Sequence, residues 1–291
     1  MKQAYVFPLH DLPVLLLAAG ISIATPAHSA TPDIQFGIGV SHDDNVTRTM
    51  NGGNKYSDQS LNITLGLPVV IPISEHFRAI LTGTLAMEHY LGLDKLSNVS
   101  GKAQGEIQYR SSAEFGTPTY GLFARQAIVE YQSGQRDGML HASGISIRKT
   151  FTDRISAYGM VSHNERNGHN EVFKNKYDAV LLNLDYDVKA TGTLYLGGEY
   201  RRGDMAISAP LWNWYTSDIT RDDAFSGWSY RVRGDTRILK LGFNLPLGRK
   251  SSLDLSWNMA ESSATYRTQT WNKSAASYTA NQYSAAWLLR F

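Results

Sequence analysis

From residue 34 onward the chain alternates apolar and polar residues with a period of two, broken at intervals by polar connections. Ile34, Phe36, Ile38 and Val40 alternate with Gln35, Gly37, Gly39 and Ser41; Leu61, Ile63, Leu65 and Leu67 alternate with Ser60, Asn62, Thr64 and Gly66. A period of two sends the two sets to opposite faces of a strand. A third strand carries Phe77, Ala79, Leu81, Leu85 and Met87 on its apolar side. The fourth sets Val99, Ala103, Ile107 and Tyr109 against Ser100, Lys102, Gln104, Glu106, Gln108 and Arg110. Six polar residues in succession on one face cannot form a dry core, so that face lines water.

Further strands are predicted at about 119–131, 139–149, 155–163, 177–187, 193–202, 227–245, 252–260 and 278–291. Val180, Leu182, Leu184, Tyr186 and Val188 give the eighth strand its apolar face; Leu253, Leu255, Trp257 and Met259 do so for the eleventh. The fifth and seventh strands show no clear parity. In the tenth, Trp228, Tyr230 and Val232 fall on even numbers, whereas Leu239, Leu241, Phe243 and Leu245 are odd. That switch predicts a β-bulge near Gly234-Asp235.

The connections set the topology. Odd ones are mostly long and polar, at about 42–58, 88–98, 164–176, 203–226 and 261–277, and even ones are mostly short, such as 150–154 and 188–192. Long loops on one side and short turns on the other are the habit of transmembrane barrels, with both termini periplasmic when the strand number is even. The expected fold is therefore all-β, an antiparallel up-and-down transmembrane β-barrel of about 12 strands, within a range of 10–14. Phe77, Tyr109, Tyr120, Phe151, Tyr186 and Phe291 fall at predicted periplasmic strand ends, and Tyr131, Tyr177, Tyr200 and Tyr283 near the opposite ends. Two such bands read as interfacial girdles. A soluble barrel would show the same alternation with its apolar face turned inward.

Composition adjusts this picture only slightly. The mean hydropathy of −0.29 suits strands whose two faces average out, and no stretch after residue 30 approaches the ~20 apolar residues of a spanning helix. A formal charge of +2 gives no case for nucleic acid as partner. With no cysteine in the chain, a disulfide framework and Cys-based metal or redox sites are excluded.

Both ends of the chain carry signals. Lys2, the apolar run Leu12–Ala24 and the small residues of Pro26-Ala27-His28-Ser29-Ala30 predict a cleaved signal peptide over 1–30, cut after Ser29 or Ala30. Residues 31–291 then form a single outer-membrane barrel domain, exported through the periplasm. At the other end Phe291 is preceded at two-residue intervals by Leu289, Trp287, Ala285 and Tyr283. This ending resembles the C-terminal assembly signal of bacterial outer-membrane β-barrels. The resemblance implies delivery to the barrel-assembly machinery and a setting of outer-membrane lipids and lipopolysaccharide.

Candidate chemistry is sparse. His141, Ser143, Ile145 and Ile147 share one face, and His141-Ala142-Ser143 resembles the His-x-Ser pair that outer-membrane phospholipase A and the lipid A deacylase family carry on a barrel exterior. The resemblance implies a lipid hydrolase in which His is the base for Ser and an Asn or Glu orients the His. Gly144 stands where those families have Asn, and the following segment offers no Asn or Glu at a comparable spacing; Glu130 and Asn164 are the nearest candidates. The plainer reading is a girdle histidine, and no catalytic residue is assigned. Leu211-Trp212-Asn213-Trp214-Tyr215 with Asp218, Asp222 and Asp223 suits either glycan contact or a loop folded over the barrel mouth. Asp43-Asp44-Asn45 lacks the ligand spacing of a calcium loop, and Arg202-Gly203-Asp204 and Arg233-Gly234-Asp235 read as turns at strand ends. No metal or cofactor site is expected.

The functional expectation is a porin-like passive channel for small solutes, or glycans, with a narrow lumen. On strands of clear parity the inward basic residues are Arg78, Lys102, Arg110, Arg148, Arg201, Lys240 and Arg290, and the inward acids are Glu88, Glu106, Asp185, Asp187, Glu199 and Asp254. Seven against six makes the lumen nearly neutral and its ion selectivity weak. The alternative is a structural or export-partner barrel serving another envelope protein or polymer.

Overall fold

The structure is a computed structural model that describes residues 34–188, 191–210, 218–264 and 277–291. The expected signal peptide over 1–30 and the aromatic run Leu211–Tyr215 lie outside the described residues. The strands are β1 (Gln35–Asp43), β2 (Asp58–Pro72), β3 (Phe77–Tyr90), β4 (Asn98–Arg110), β5 (Thr119–Tyr131), β6 (Gly138–Thr150), β7 (Ile155–Gly168), β8 (Asn175–Asp187), β9 (Thr193–Ala209), β10 (Ile219–Asp222), β11 (Gly227–Pro246), β12 (Ser251–Ala264) and β13 (Tyr278–Arg290). Every neighbour pair is antiparallel, β13 returns to β1, and β11 pairs with β9 to close the ring. Twelve strands make the wall; β10 is a short hairpin arm of β11 inside one long connection.

Closure leaves the twelve wall strands without an unpaired edge, and their two faces have partitioned as a bilayer demands. Leu85, Leu122, Ile145 and Leu182 are about 60% exposed (59%, 62%, 61% and 62%) on the outside, while Ser41, Ser60, Asn62, Asp254 and Asn258 are buried inside. A soluble protein would not leave such a belt of aliphatic side chains in water. In a closed barrel this inversion is the arrangement of an outer-membrane protein. Phe77, Tyr109, Tyr120, Phe151, Tyr186 and Phe291 are exposed at the rim of the short turns, where Phe77 and Tyr109 pack at 5.0 Å.

The structure corrects three sequence expectations. There is no bulge at Gly234-Asp235: β11 keeps one register with β9 from Trp228↔Ala209 to Asn244↔Thr193 and one with β12 from Gly234↔Ala264 to Pro246↔Ser252. The apolar set changes parity because β11 outruns the membrane. Beyond the bilayer its inward residues, Tyr230 and Val232, pack in a core, while Ser229 and Arg231 on the other face are bonded to Asp222 and Asp218 and Arg233 is exposed. For the same reason the two Arg-Gly-Asp tripeptides are not turns. They face each other across β9 and β11 as Arg202↔Asp235, Gly203↔Gly234 and Asp204↔Arg233. Gly203 has φ 150°, and a Cβ there would meet the Lys176 carbonyl oxygen at 2.2 Å, so the backbones approach as only glycine allows. Finally, of the second aromatic band only Tyr200 and Tyr283 face outward. Tyr131 is buried under the extracellular loops, and Tyr177 lines an interior cavity.

Candidate functional site

The interior divides at about the level where the strands leave the membrane. In the half nearer the short turns, the wall is polar. Arg78 Nε donates to Gln108 Oε1 at 2.7 Å, and Gln108 Nε2 donates to Glu106 Oε1 at 2.8 Å. Ser146 Oγ donates to the same carboxylate at 3.1 Å. Arg110 reaches the Glu114 carbonyl at 2.7 Å, and Arg148 lies over the Tyr158 ring at 5.2 Å. Across the lumen Tyr195 donates to Asp254 at 2.8 Å with Lys240 over its ring at 5.1 Å, and Ser156 donates to Asp185 at 3.4 Å. Arg201 pairs with Glu199 at 2.7 Å. Arg290 sits opposite Gln35 at the rim, and Asp187 is exposed at the end of β8.

The two strands without readable parity add what the sequence missed. Arg125 of β5 and Arg166 of β7 both point inward, through the registers Arg125↔Gln104 and Arg166↔Leu140. With the seven expected from sequence they make nine inward basic groups on the strands, against eight acids once Asp43 of β1 and Asp58 of β2 join the expected six. One of those acids, Glu88, is 1% exposed and fully engaged with Ser60 (2.8 Å) and Asn98 (2.9 Å). Lys102 and Arg125, half-buried on adjacent strands, make no ion pair among the described residues. The parity of β5 was obscured because Phe123 and Val129 face inward while Gln126 and Glu130 face outward.

In the other half, described loop residues pack over the interior. The connection after β1 dives across the mouth. Asn45, with no exposed surface, donates to the carbonyls of Thr49 (2.9 Å) and Thr279 (3.1 Å) and accepts from the Thr49 amide (2.7 Å). Met50 N then reaches the Ser208 carbonyl at 3.0 Å, fastening the loop to the far end of β9. Beneath it Met50, Ile207, Tyr230, Val232, Tyr278 and Ala280 form a hydrophobic core. From the opposite side the β10–β11 turn brings Ala224 and Phe225 against Leu96 and Tyr131. Arg136 holds this turn through Asp222, whose side chain is fully buried. Burial by itself would lower the Arg136 pKa, but the Asp222 carboxylate and the Tyr131 phenol oxygen outweigh it, and the guanidinium is held above its ordinary value. Lys95 reaches Asp223 at 3.6 Å and Asn170 donates to Thr220 at 3.1 Å.

Under the cap lies a cavity of about 220 Å³ lined by Asp43, Arg48, Asn175, Tyr177, Arg201, Asn258 and Tyr278, among others. The Asp43-Asp44-Asn45 run is spent on structure: Asp43 pairs with Arg48 at 2.8 Å, and Asp44 accepts from the Asn281 amide at 2.7 Å. Among the described residues no group of three or more His, Asp or Glu is placed to hold a metal ion.

On the exterior, Tyr283, Trp287 and Phe291 are exposed along β13 and its end, with Ala285 and Leu289 on the same face and Trp287 Nε1 donating to Ser251 at 2.7 Å. His141 and Ser143 also face outward. Opposite them on β7 stand Glu165 and His163, in the registers His141↔Glu165 and Ser143↔His163. Of the two orienting residues considered from sequence, Glu130 faces outward on β5, and Asn164 points inward, its amide donating to Ser162.

No protein-family profile matches the sequence, and no curated protein matches it. Among solved structures the chain is similar to an outer membrane channel from Pseudomonas putida F1, at 11% identity and a TM-score of 0.59 over 92% of this chain and 100% of that one. It is also similar to the KdgM porin in complex with disordered oligogalacturonate (11% identity, TM-score 0.44, 88% of this chain and 99% of that one) and to the NanC porin (7%, 0.44, 90% and 100%). At these identities the likeness is one of barrel fold.

Proposed function

We propose that the protein is a passive outer-membrane channel for small solutes, whose lumen is narrow and whose extracellular mouth is covered by its own loops. The observation that carries this reading is the polar inner wall of the bilayer-spanning strands. Ser100, Lys102, Gln104, Glu106, Gln108 and Arg110 of β4 present six successive polar side chains to the interior, and a wall of that kind is stable only against water. The residues proposed to line the path are Arg78, Lys102, Glu106, Arg110, Arg148, Asp185, Glu199, Arg201, Lys240, Asp254 and Arg290, joined by Arg125 and Arg166. Most acids in this set are already paired to hydroxyls or cations, whereas Lys102 and Arg125 are not. The channel therefore favours small anions over cations, by no more than a few-fold because opposite charges share the same lumen. Export would remove residues 1–30, and the β13 exterior of Tyr283, Ala285, Trp287, Leu289 and Phe291 would present the assembly signal.

Proteoliposome swelling tests the reading. Vesicles holding the purified protein are expected to admit small sugars and amino acids and to exclude oligosaccharides. Vesicles that stay impermeable to every solute would transfer the protein to the class of barrels serving an envelope partner.

A further inference from the structure

The outer wall of the barrel is not apolar all the way round. On β2, β3 and β4 the outward positions are aliphatic, aromatic or glycine for almost the whole strand, as in Phe77, Ala79, Leu81, Gly83, Leu85 and Met87 of β3. On β7 the outward row is Ile155, Ala157, Gly159 and Val161, and then it becomes His163, Glu165 and Asn167. β8 changes in the same way at Asp178 and Lys176, and β9 at Arg202 and Asp204. Charges of this density are expensive at the bilayer midplane, about 2–4 kcal/mol for each Lys or Arg. The change marks the headgroup and ester level of the outer leaflet.

Across that level the strand registers assemble a row of three side chains: Ser143 of β6, His163 of β7 and Asp178 of β8. Each is directly opposite the next, on one face, a separation of roughly 4.5–5.5 Å between Cβ atoms. His163 Nδ1 lies 2.8 Å from Asp178 Oδ1. That contact engages Nδ1, so Nε2 is the ring nitrogen that would serve Ser143. The imidazole is 58% exposed and the carboxylate 76% exposed, so the row is open to lipid rather than shut in the wall. One tier further out, His141 stands between Gln126 and Glu165, and Glu165 is occupied by Lys176 at 2.8 Å.

The same row continues the other way as Ala124, Gly105, Leu81 and Val69, and along it the strands step down from the extracellular level toward the short-turn end of β2. Here the wall is hollow. Small outward residues leave an exterior groove of about 750 Å³ that runs from Val69 and Leu81 to Ser143 and His163. A side chain added at Gly83 would meet nothing within 4 Å, and one at Gly105 only Leu81, at 3.6 Å. Apolar along its descending length and carrying a Ser-His-Asp row at its upper end, the groove fits a lipid acyl chain with its ester at Ser143.

We propose that this exterior row is an esterase site acting on acyl esters of outer-leaflet lipids, separate from the lumen and independent of the channel reading. Ser143 Oγ attacks the ester carbonyl carbon while His163 takes the hydroxyl proton. Collapse of the tetrahedral adduct breaks the carbon–oxygen bond to the lipid alcohol, and His163 returns the proton to that oxygen. Water then attacks the acyl-serine with the same histidine as base, releasing a fatty acid and regenerating Ser143. Asp178 is a positioning residue that fixes the His163 tautomer and ring orientation. Gln126 and His141, the N–H donors of the next tier, are placed to meet the carbonyl oxygen as it becomes negative.

Fatty acid release by the purified barrel is measured on two substrates, vesicles of phosphatidylethanolamine and phosphatidylglycerol, and purified lipopolysaccharide. Release from one or both identifies the lipid source. Ser143→Ala is expected to lower it more than a hundredfold and to abolish labelling by a fluorophosphonate probe, with the heat-modifiable gel shift confirming a closed barrel. Asp178→Asn should cut turnover more than tenfold and move the pH profile, which a merely structural residue would not do. Gly105→Leu, which fills the groove, should raise KM while leaving probe labelling intact. No release from either lipid by a closed barrel, or release unchanged in Ser143→Ala, overturns the proposal.

Discussion

The two ends of the interior are built from the same alternating strands and solve opposite problems. Toward the short turns the inward residues include Arg78, Gln108 and Glu106, linked by single hydrogen bonds, with Arg148 over the Tyr158 ring and Asp254 accepting from Tyr195. Toward the loops they are Ile207, Tyr230, Val232, Tyr278 and Ala280, packed under Met50 with one buried ion pair locking the last turn. A period of two says which residues share a face. It does not say whether that face meets water, lipid or a plug. The strand length beyond the bilayer decides that, and only the extracellular half has it.

The comparison breaks most readily at the Arg136–Asp222 pair. Removing one partner of a buried pair leaves an uncompensated charge, at a cost of about 3–5 kcal/mol. Asp222→Ala is therefore expected to free the β10–β11 turn, expose it to protease and raise conductance several-fold. Unchanged proteolysis would show that the cap is held by packing alone. Tyr230, 1% exposed, is the centre of that packing. Tyr230→Ala should lose about 3–5 kcal/mol by analogy with other buried aromatic truncations and lower the temperature of the heat-modifiable shift. Thr82→Ala, at an inward position of β3 opposite Gln104, should leave that temperature where it is.

A smaller effect is expected from the unpaired cations. Replacing both Lys102 and Arg125 by glutamate should turn a weak anion preference into a cation preference, read as a change of sign in reversal potential, with little change in thermal stability. Smallest of all, Phe77→Ala removes one ring of the Phe77–Tyr109 contact, an interaction of about 0.5–1.5 kcal/mol. Barrel assembly should slow slightly while conductance is unaffected.

How much of this was legible in the sequence follows the same division. The closed antiparallel barrel, its strand number and the lumen faces of β4, β8 and β12 follow from alternation, because within the membrane an outward residue is apolar and an inward one is polar. The rule failed in β11, where Tyr230 and Val232 suggested a bulge that is absent, since past the bilayer apolar residues turn inward instead. It failed in β5 and β7 because Phe123 and Val129 lie inside while Gln126, His163 and Glu165 lie outside. The cap was only half legible: the loop carrying Asp222 and Asp223 suggested a fold over the mouth, but not the residues that hold it there. Asn45, Arg136 and Asp222 act across sequence separations that only the registers reveal, and loops carry no periodicity. His163 and Asp178 were hidden likewise: neither is near Ser143 in sequence, and both stand beside it only when β6, β7 and β8 are laid in register.

The channel reading is tested most directly by single-channel recording of the purified protein in a planar bilayer under a salt gradient. A small conductance whose reversal potential shows anions favoured by at most a few-fold is the predicted result. A large, strongly selective conductance, or a silent bilayer containing a demonstrably closed barrel, would contradict it.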